Sequence, residues 1–263
     1  MSGRHGTGAP DSVLVVIPAR FGAQRLPGKP LLDRTGKPLI RHVWEQVRAA
    51  ACAPRVIVAT DDPRIVEAVH AFGGEAVLTS STHQSGTDRV AEVARLVSAE
   101  LVVNWQGDEP ELPGAACDAL VALFEDPAVR MATLAAPCDD QAALANPAVV
   151  KVVTAASGDA LYFSRAAIPY VRDRVAPAGA AAPRRHVGVY GFRREALFAF
   201  AALPPAPLEL AERLEQLRAL SHGLAIRVGA SPHPGGGIDT PEDYEQFVER
   251  ERARGRIPAP EIL

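Results

Sequence analysis

No run of about 18 consecutive apolar residues occurs in this chain, so no membrane-spanning helix is expected. Cysteine is scarce. Cys52, Cys117 and Cys138 are widely spaced and form no CxxC, which argues against a disulfide framework or a zinc cluster and points to a reducing compartment, the cytoplasm. Charge excess is missing too: a formal net charge of -3 argues against a general nucleic-acid binder, so any basic site must be local. Residues 1–12, MSGRHGTGAPDS, lack the apolar core of a signal peptide and are expected to form a disordered lead. Internal repeats and low-complexity tracts are absent.

What is present suits one large α/β domain, with 48% hydrophobic and 22% charged residues in a chain of 263. The chain is organised around VLVVIPARFGAQRLPGKP, residues 13–30. Its apolar start is too short for a helix and too continuous for a half-exposed strand, so it reads as a buried parallel strand. The strand stops in a loop carrying Arg20, Arg25 and Lys29 among Pro and Gly breakers, a natural place for a polyanion. A P-loop is excluded, because five residues separate Gly22 from Gly28 and Pro30 follows Lys29, where a helix cannot begin. The bland alternative is a solvated basic loop.

Further on, apolar periodicity predicts helices over 38–51 and 63–72 and strands over 55–60, 76–79 and 101–105. Residues 80–89, SSTHQSGTDR, have no apolar pattern and read either as a ligand-facing loop or as the approach to a helix over 88–97 with Thr87 or Asp88 as its cap. After the strand at 101–105 comes Gln106-Gly107-Asp108-Glu109-Pro110, a carboxylate pair in a tight turn. Alone it is a hard-cation site or a capping turn; beside a cationic loop it supplies the other half of what a metal-bound nucleotide needs.

In the second half, strands are expected over 131–136, 149–154, 161–163 and 225–228, with a mobile or covering loop at 175–185. HVGVYGF, residues 186–192, alternates, placing His186, Gly188, Tyr190 and Phe192 on one face. That face can hydrogen-bond a polar ligand or can simply be an amphipathic surface. LELAERLEQLRAL, residues 208–220, predicts one helix with Leu210, Leu214 and Leu217 as its apolar stripe and Glu215 and Gln216 within it. Gly235 to Gly237 permit close approach of backbone to a ligand, and Asp239 precedes the cap of a last helix running through Phe247, as turn chemistry or as a second metal carboxylate.

These motifs together resemble the 3-deoxy-manno-octulosonate (Kdo) cytidylyltransferases over about residues 13–248. The resemblance is carried by IPARFGAQRLPGKPL, VATDD, HQSGTDR, NWQGDEP, PAVVKVV, ALYFSRAAIP, RHVGVYGFR, LEQLR and GIDTPEDYE, of which HQSGTDR with QGDEP and LEQLR is the specific combination. It implies a Rossmann-like nucleotidyltransferase fold with a mostly parallel central sheet. A smaller dimerisation and sugar-binding insertion around 155–220 would sit within a single domain 13–248, followed by a tail, 249–263. It implies transfer of CMP from CTP to Kdo with release of pyrophosphate, dependent on Mg2+, in a cytoplasmic homodimer serving lipopolysaccharide-type glycan synthesis.

Carried over by position, Arg20 and Lys29 bind the CTP phosphates, Asp108 and Asp239 hold magnesium, and Thr79, Ser85 and Gln106 lie around the nucleotide. Arg20, Lys29, Asp108 and Asp239 form the catalytic set; Arg25, Gln106, Arg165, His186, Tyr190, Glu215 and Gln216 form the sugar side. Trp105 stands where the family usually has a smaller aliphatic residue, and Ala23-Gln24 replaces a hydroxyl-containing pair. The alternatives are a relative acting on an amino-modified or sialic-acid-like ulosonic acid, and a non-catalytic nucleotide-binding regulator.

Overall fold

The first strand, β1 (Val13–Ala19), alternates its side chains between two cores. Leu14 and Val16 face one, and Val15, Ile17 and Ala19 the other, none more than 3% exposed. A strand buried on both faces needs helices on both sides and parallel neighbours reached by crossovers, and the chain supplies them. The structure, a computed structural model, describes residues 13–22, 25–52, 54–172 and 182–257. The expected lead at 1–12 lies outside the described residues.

From β1 the chain passes through a single 3-10 turn, Lys29–Leu31, then α1 (Leu39–Arg48), β2 (Arg55–Thr60), α2 (Pro63–Ala71), β3 (Glu75–Leu78), α3 (Gly86–Leu96) and β4 (Leu101–Asn104). There follow α4 (Gly114–Ala122), β5 (Met131–Pro137), α5 (Gln141–Ala145), β6 (Lys151–Thr154), β7 (Ala160–Ser164) and β8 (Arg184–Arg193). The last elements are α6 (Arg194–Ala201), α7 (Pro207–Glu212), α8 (Gln216–Ser221), β9 (Arg227–Ala230) and α9 (Pro241–Ala253).

The strands order as β3-β2-β1-β4-β8-β5-β9, with β6 paired to β8 and β7 to β6. The main path is parallel except for β8, which runs antiparallel to both β4 and β5. This is the mostly parallel α/β sheet expected from the sequence. Helices α1, α2 and α4 cover one face and α3, α6 and α8 the other. The stretch 155–220 is woven into this sheet, because β8 is one of its central strands.

A third, small core decides where the site forms. Ile238, Tyr244, Phe247 and Val248, from the start of α9 and the turn before it, pack with Leu39 and with Leu26 and Leu32 of the cationic loop. Each large apolar side chain so buried stabilises by roughly 1.5–3 kcal/mol, enough to dock the end of the chain on the loop after β1. Tyr244 adds a hydrogen bond, its hydroxyl accepting from the Arg34 backbone N–H at 2.9 Å.

Three expectations change. The helix expected over 208–220 is two helices, α7 and α8, broken at Arg213, whose backbone is left-handed (φ 54°). The break turns Leu210 out to solvent at 55% exposure and brings Glu209 in, paired with Arg218, so only Leu214 and Leu217 of the expected stripe are buried. The last helix does not end at Phe247: it continues through Ala253, with Glu251 buried and paired to Arg254 and Arg256, and Glu111 taking Arg250 and Arg254, so the nominal tail is ordered structure at least to Ile257. Of the covering loop expected at 175–185, residues up to 181 lie outside the described residues, and Arg184 and Arg185 already belong to β8.

Candidate active site

Beyond β1, the chain turns tightly because Gly28 takes a left-handed backbone (φ 69°) and its N–H returns to Phe21 O at 2.9 Å. The 3-10 turn that follows contains Pro30, consistent with the exclusion of a phosphate-cradling helix there. It aims Lys29 inward. Its ammonium donates to Asp108 Oδ2 at 2.9 Å, to Ile238 O at 2.7 Å and to Asp239 Oδ1 at 3.3 Å. Arg25 reaches the other oxygen of Asp239 at 2.9 Å, and Arg20, exposed at the strand end, donates to His83 O at 2.9 Å. The three cations of the loop therefore face two carboxylates and the 80–89 segment.

The carboxylates are brought together by backbone. Gly107 passes so close to β1 that a Cβ would lie 2.7 Å from Pro18 O, and Ile238 N donates to Asp108 O at 2.9 Å. Asp108 and Asp239 thus address one point, where a single ammonium touches both. Behind them, Glu109 accepts from Gly236 N–H at 2.8 Å, in the glycine run expected to admit close approach. Burial, and to a lesser degree the charges of Asp108 and Asp239, push Glu109 up to about 7. Two carboxylates meeting beside a cationic loop are the donor set that fits Mg2+, which binds through one or two carboxylates plus phosphate oxygens. Among the described residues there is no group of three or more His, Cys, Asp or Glu arranged to hold a metal unaided.

Among the residues expected around the nucleotide, Ser85 is the N-cap of α3 in a capping box with Asp88, so the 80–89 segment does lead into a capped helix, but the cap is Ser85 and neither Thr87 nor Asp88. The segment is also pinned by Glu92, which accepts from Ser80 N–H and pairs with His83. Thr79 is buried and its hydroxyl donates to Thr60 O at 3.1 Å while accepting from Arg89, a fully buried arginine that also takes Asp61. Its side chain is committed within the fold. Gln106 lies against β8, where a Cβ on Gly188 would come within 3.6 Å of its Cγ.

Among the residues expected to face the sugar, the alternation of β8 is as expected: His186, Tyr190 and Phe192 share a face, with ring centroids 5.3 Å apart for His186–Tyr190 and 6.4 Å for Tyr190–Phe192, while Val187 and Val189 enter the opposite core. A bulge opposite Thr133 and Leu134 lets the Thr133 hydroxyl reach β8. That hydroxyl donates its one proton to Val189 O at 2.7 Å, so at His186 Nε2, 2.9 Å away, it is the acceptor. His186 is then the Nε2–H tautomer with Nδ1 as acceptor, and burial pushes its pKa down to about 3, which keeps it neutral. Tyr190, Glu215 and Gln216 line one small cavity, together with Thr87 of α3. Burial pushes the Tyr190 hydroxyl well above its ordinary value and also raises Glu215.

Arg165 stands apart from this cluster. Its guanidinium donates to Glu212 O, Pro147 O and Arg213 O, and buried Lys151 donates to its carbonyl. In this state it clamps the turn between α7 and α8. Glu109, Thr87, Asn104 and Arg89 are residues of the same region that the sequence does not assign to the site individually: Glu109 reads only as half of the carboxylate pair, Thr87 only as a cap, and Asn104 and Arg89 have no role of their own. All four sit in the quoted motifs, but their partners lie in distant segments.

The profile of the family described as Cytidylyltransferase matches residues 14–226. Among curated relatives, the 3-deoxy-manno-octulosonate cytidylyltransferase of Anaeromyxobacter dehalogenans is 54% identical over 238 residues, covering 89% of this chain and 95% of the relative. The protein of the same name from Geobacter sulfurreducens is 47% identical over 247 residues, covering 91% and 99%. Among solved structures, a CMP:2-keto-3-deoxy-manno-octonic acid synthetase complexed with CTP superposes with a TM-score of 0.86 at 44% identity, covering 93% of this chain and 100% of that one.

Proposed function

The chain belongs to the cytidylyltransferase family, and from that premise we propose that it transfers CMP from CTP to 3-deoxy-manno-octulosonate, releasing pyrophosphate. The observation that carries this reading is the convergence of Lys29, Asp108 and Asp239 at the carboxyl edge of the sheet. In the reaction, the anomeric 2-hydroxyl oxygen of the sugar acid forms a bond to the α-phosphorus as the bond to the β-phosphate oxygen breaks in line. The attacking hydroxyl loses its proton, and pyrophosphate carries away the electron pair.

Little covalent work falls to the protein. Its part is to orient the hydroxyl and to offset charge on the phosphates, for which Arg, Lys and metal are better suited than a Ser or Cys nucleophile. Arg20 and Lys29 bind the triphosphate from the loop after β1. Asp108 and Asp239 are the residues to hold Mg2+, which when bound offsets phosphate charge. Ser85 and Gln106, with Thr79 holding the segment end, border the nucleotide. His186, through its Nδ1 acceptor, with Tyr190, Glu215, Gln216 and Arg25, forms the sugar side, while Arg165 holds the turn between α7 and α8. The reading includes a homodimer working in the cytoplasm; no helix among the described residues is long and apolar enough to cross a membrane.

Pyrophosphate release measured across CTP, UTP and a panel of ulosonic acids tests it. Turnover is expected with CTP and Kdo. Preference for an amino-modified or sialic-acid-like acid would reassign the sugar, and CTP binding without release on any acid would make the chain a regulator.

A further inference from the structure

Glu215 is held by one oxygen and free at the other. Its Oε2 accepts from Thr87 Oγ1 at 2.8 Å, whereas its Oε1 is buried with no hydrogen bond. The nearest cation to Oε1 is Arg218 Nη2 at 3.8 Å, and that guanidinium is already committed to both oxygens of Glu209. A buried carboxylate oxygen without a donor is costly unless something else supplies one. This oxygen belongs to a carboxylate that lines the same cavity as Tyr190 and Gln216.

Thr87 is itself oriented. Asn104, at the end of β4 and directly across the β4–β8 ladder from Tyr190, donates from Nδ2 toward Thr87 Oγ1 at 3.4 Å. With a donor on that side, the threonine hydroxyl proton is directed to Glu215. Helix capping does not explain this hydroxyl, since the first turn of α3 is already capped reciprocally by Ser85 and Asp88. Thr87 is only 3% exposed, so its hydroxyl needs an internal partner, and it has taken one 128 residues away in the chain.

We propose that Thr87, oriented by Asn104, is a positioning residue that fixes the Glu215 carboxylate so that Oε1 is presented to a hydroxyl of the sugar acid. This rests on the reading of Glu215 as a sugar-side residue. The bond crosses from α3, whose N-terminal segment borders the nucleotide, to the start of α8, so one hydroxyl fixes how the sugar wall stands relative to the nucleotide wall. Ser85 assists from the same segment, its side chain also favouring the charged form of Glu215.

The test is steady-state pyrophosphate release by Thr87→Val, Thr87→Ser, Glu215→Gln and the Thr87→Val/Glu215→Gln double variant, varying Kdo at saturating CTP and CTP at saturating Kdo. Thr87→Val is expected to raise the KM for Kdo about tenfold, the scale of one hydrogen bond to a charged group, while the KM for CTP stays within about twofold. Thr87→Ser, which restores the hydroxyl, should return close to the parent value. In the double variant, the loss should be little more than that of Glu215→Gln alone, because both changes break one interaction. Thr87→Ala provides the same comparison if the valine lowers Tm. A normal KM for Kdo in the Thr87 variants alongside an impaired Glu215→Gln would overturn the positioning role and leave Glu215 on the sugar. Additive losses would overturn it as well. A normal Glu215→Gln would remove Glu215 from the sugar side and the proposal with it.

Discussion

At the scale of single residues, the Lys29 ammonium lies within hydrogen-bonding reach of both Asp108 and Asp239. Two carboxylates at one point repel each other unless a cation lies between them, and with a triphosphate present they are suited to a divalent metal. Asp→Asn at either position keeps size and hydrogen bonding but removes the charge. Turnover is expected to fall roughly a hundredfold or more in Asp108→Asn and in Asp239→Asn, with the fold intact by circular dichroism. Pyrophosphate release followed against Mg2+ concentration checks this: near-normal rates with unchanged Mg2+ dependence in either variant would take that residue out of the site. Single residues were also the most legible level of the sequence, since Arg20, Lys29, Asp108 and Asp239 each stand in a turn whose Gly and Pro content announces it. Thr87 was not legible, because a threonine in the first turn of a helix looks like capping chemistry until its partner in another helix is known.

Elements carry these residues to their places, and one close fit among them is the turn after β4 against the end of β1. The Cβ of an alanine at Gly107 would stand 2.7 Å from Pro18 O, a backbone atom that cannot swing aside. Gly107→Ala is therefore expected to displace the Asp108 turn, lowering Tm by roughly 2–8 °C and turnover by about tenfold or more. Differential scanning calorimetry beside a pyrophosphate assay measures both; unchanged values for the two would mean the turn has slack that the contact does not suggest. The broken helix at Arg213 teaches the complementary lesson. Its leucine spacing is a good helical pattern, yet pairing of Glu209 with Arg218 and the clamp of Arg165 on the carbonyls of Glu212 and Arg213 favour a left-handed residue in the middle. The period of a sequence reports which side chains are apolar, and here buried polar pairs overrode it.

For the molecule as a whole, two histidines make stability depend on pH. Burial pushes His42 down to about 4 and His186 to about 3, so both stay neutral in the native state while the unfolded chain protonates them near 6.5. The unfolded state then binds more protons below that pH, and stability is fully present above about 6.5 and is lost as pH falls toward 4, by up to roughly 1.4 kcal/mol per pH unit for each histidine. Urea unfolding midpoints should fall between pH 7 and pH 5. His42→Leu should flatten that slope by the linkage of one proton, while Glu109, held up to about 7 in the fold, works in the opposite sense over the same range; equal slopes in parent and His42→Leu would exclude that buried histidine as a source. Assembly is the other property at this scale. Leu161 and Tyr170 are large apolar side chains at 63% and 88% exposure. Light scattering is expected to return about twice the chain mass of 27.8 kDa, and the single chain mass at working concentration would refute the dimer.

The sequence by itself determined the order of strands along the chain, the loop with three cations after the first, the carboxylate turn after the fourth and the place of Asp239 just before the last helix cap, because each depends on side-chain period and turn chemistry within a few residues. Only the tertiary structure decided that these pieces meet. Lys29 reaches Asp108 across 79 positions and Asp239 across 210, and what closes the second distance is the packing of Leu26 and Leu32 on Ile238, Tyr244 and Phe247. Burial of apolar surface is non-directional: local spacing identifies a face that must be covered, whereas its partner is set by the shapes available once the whole chain has folded.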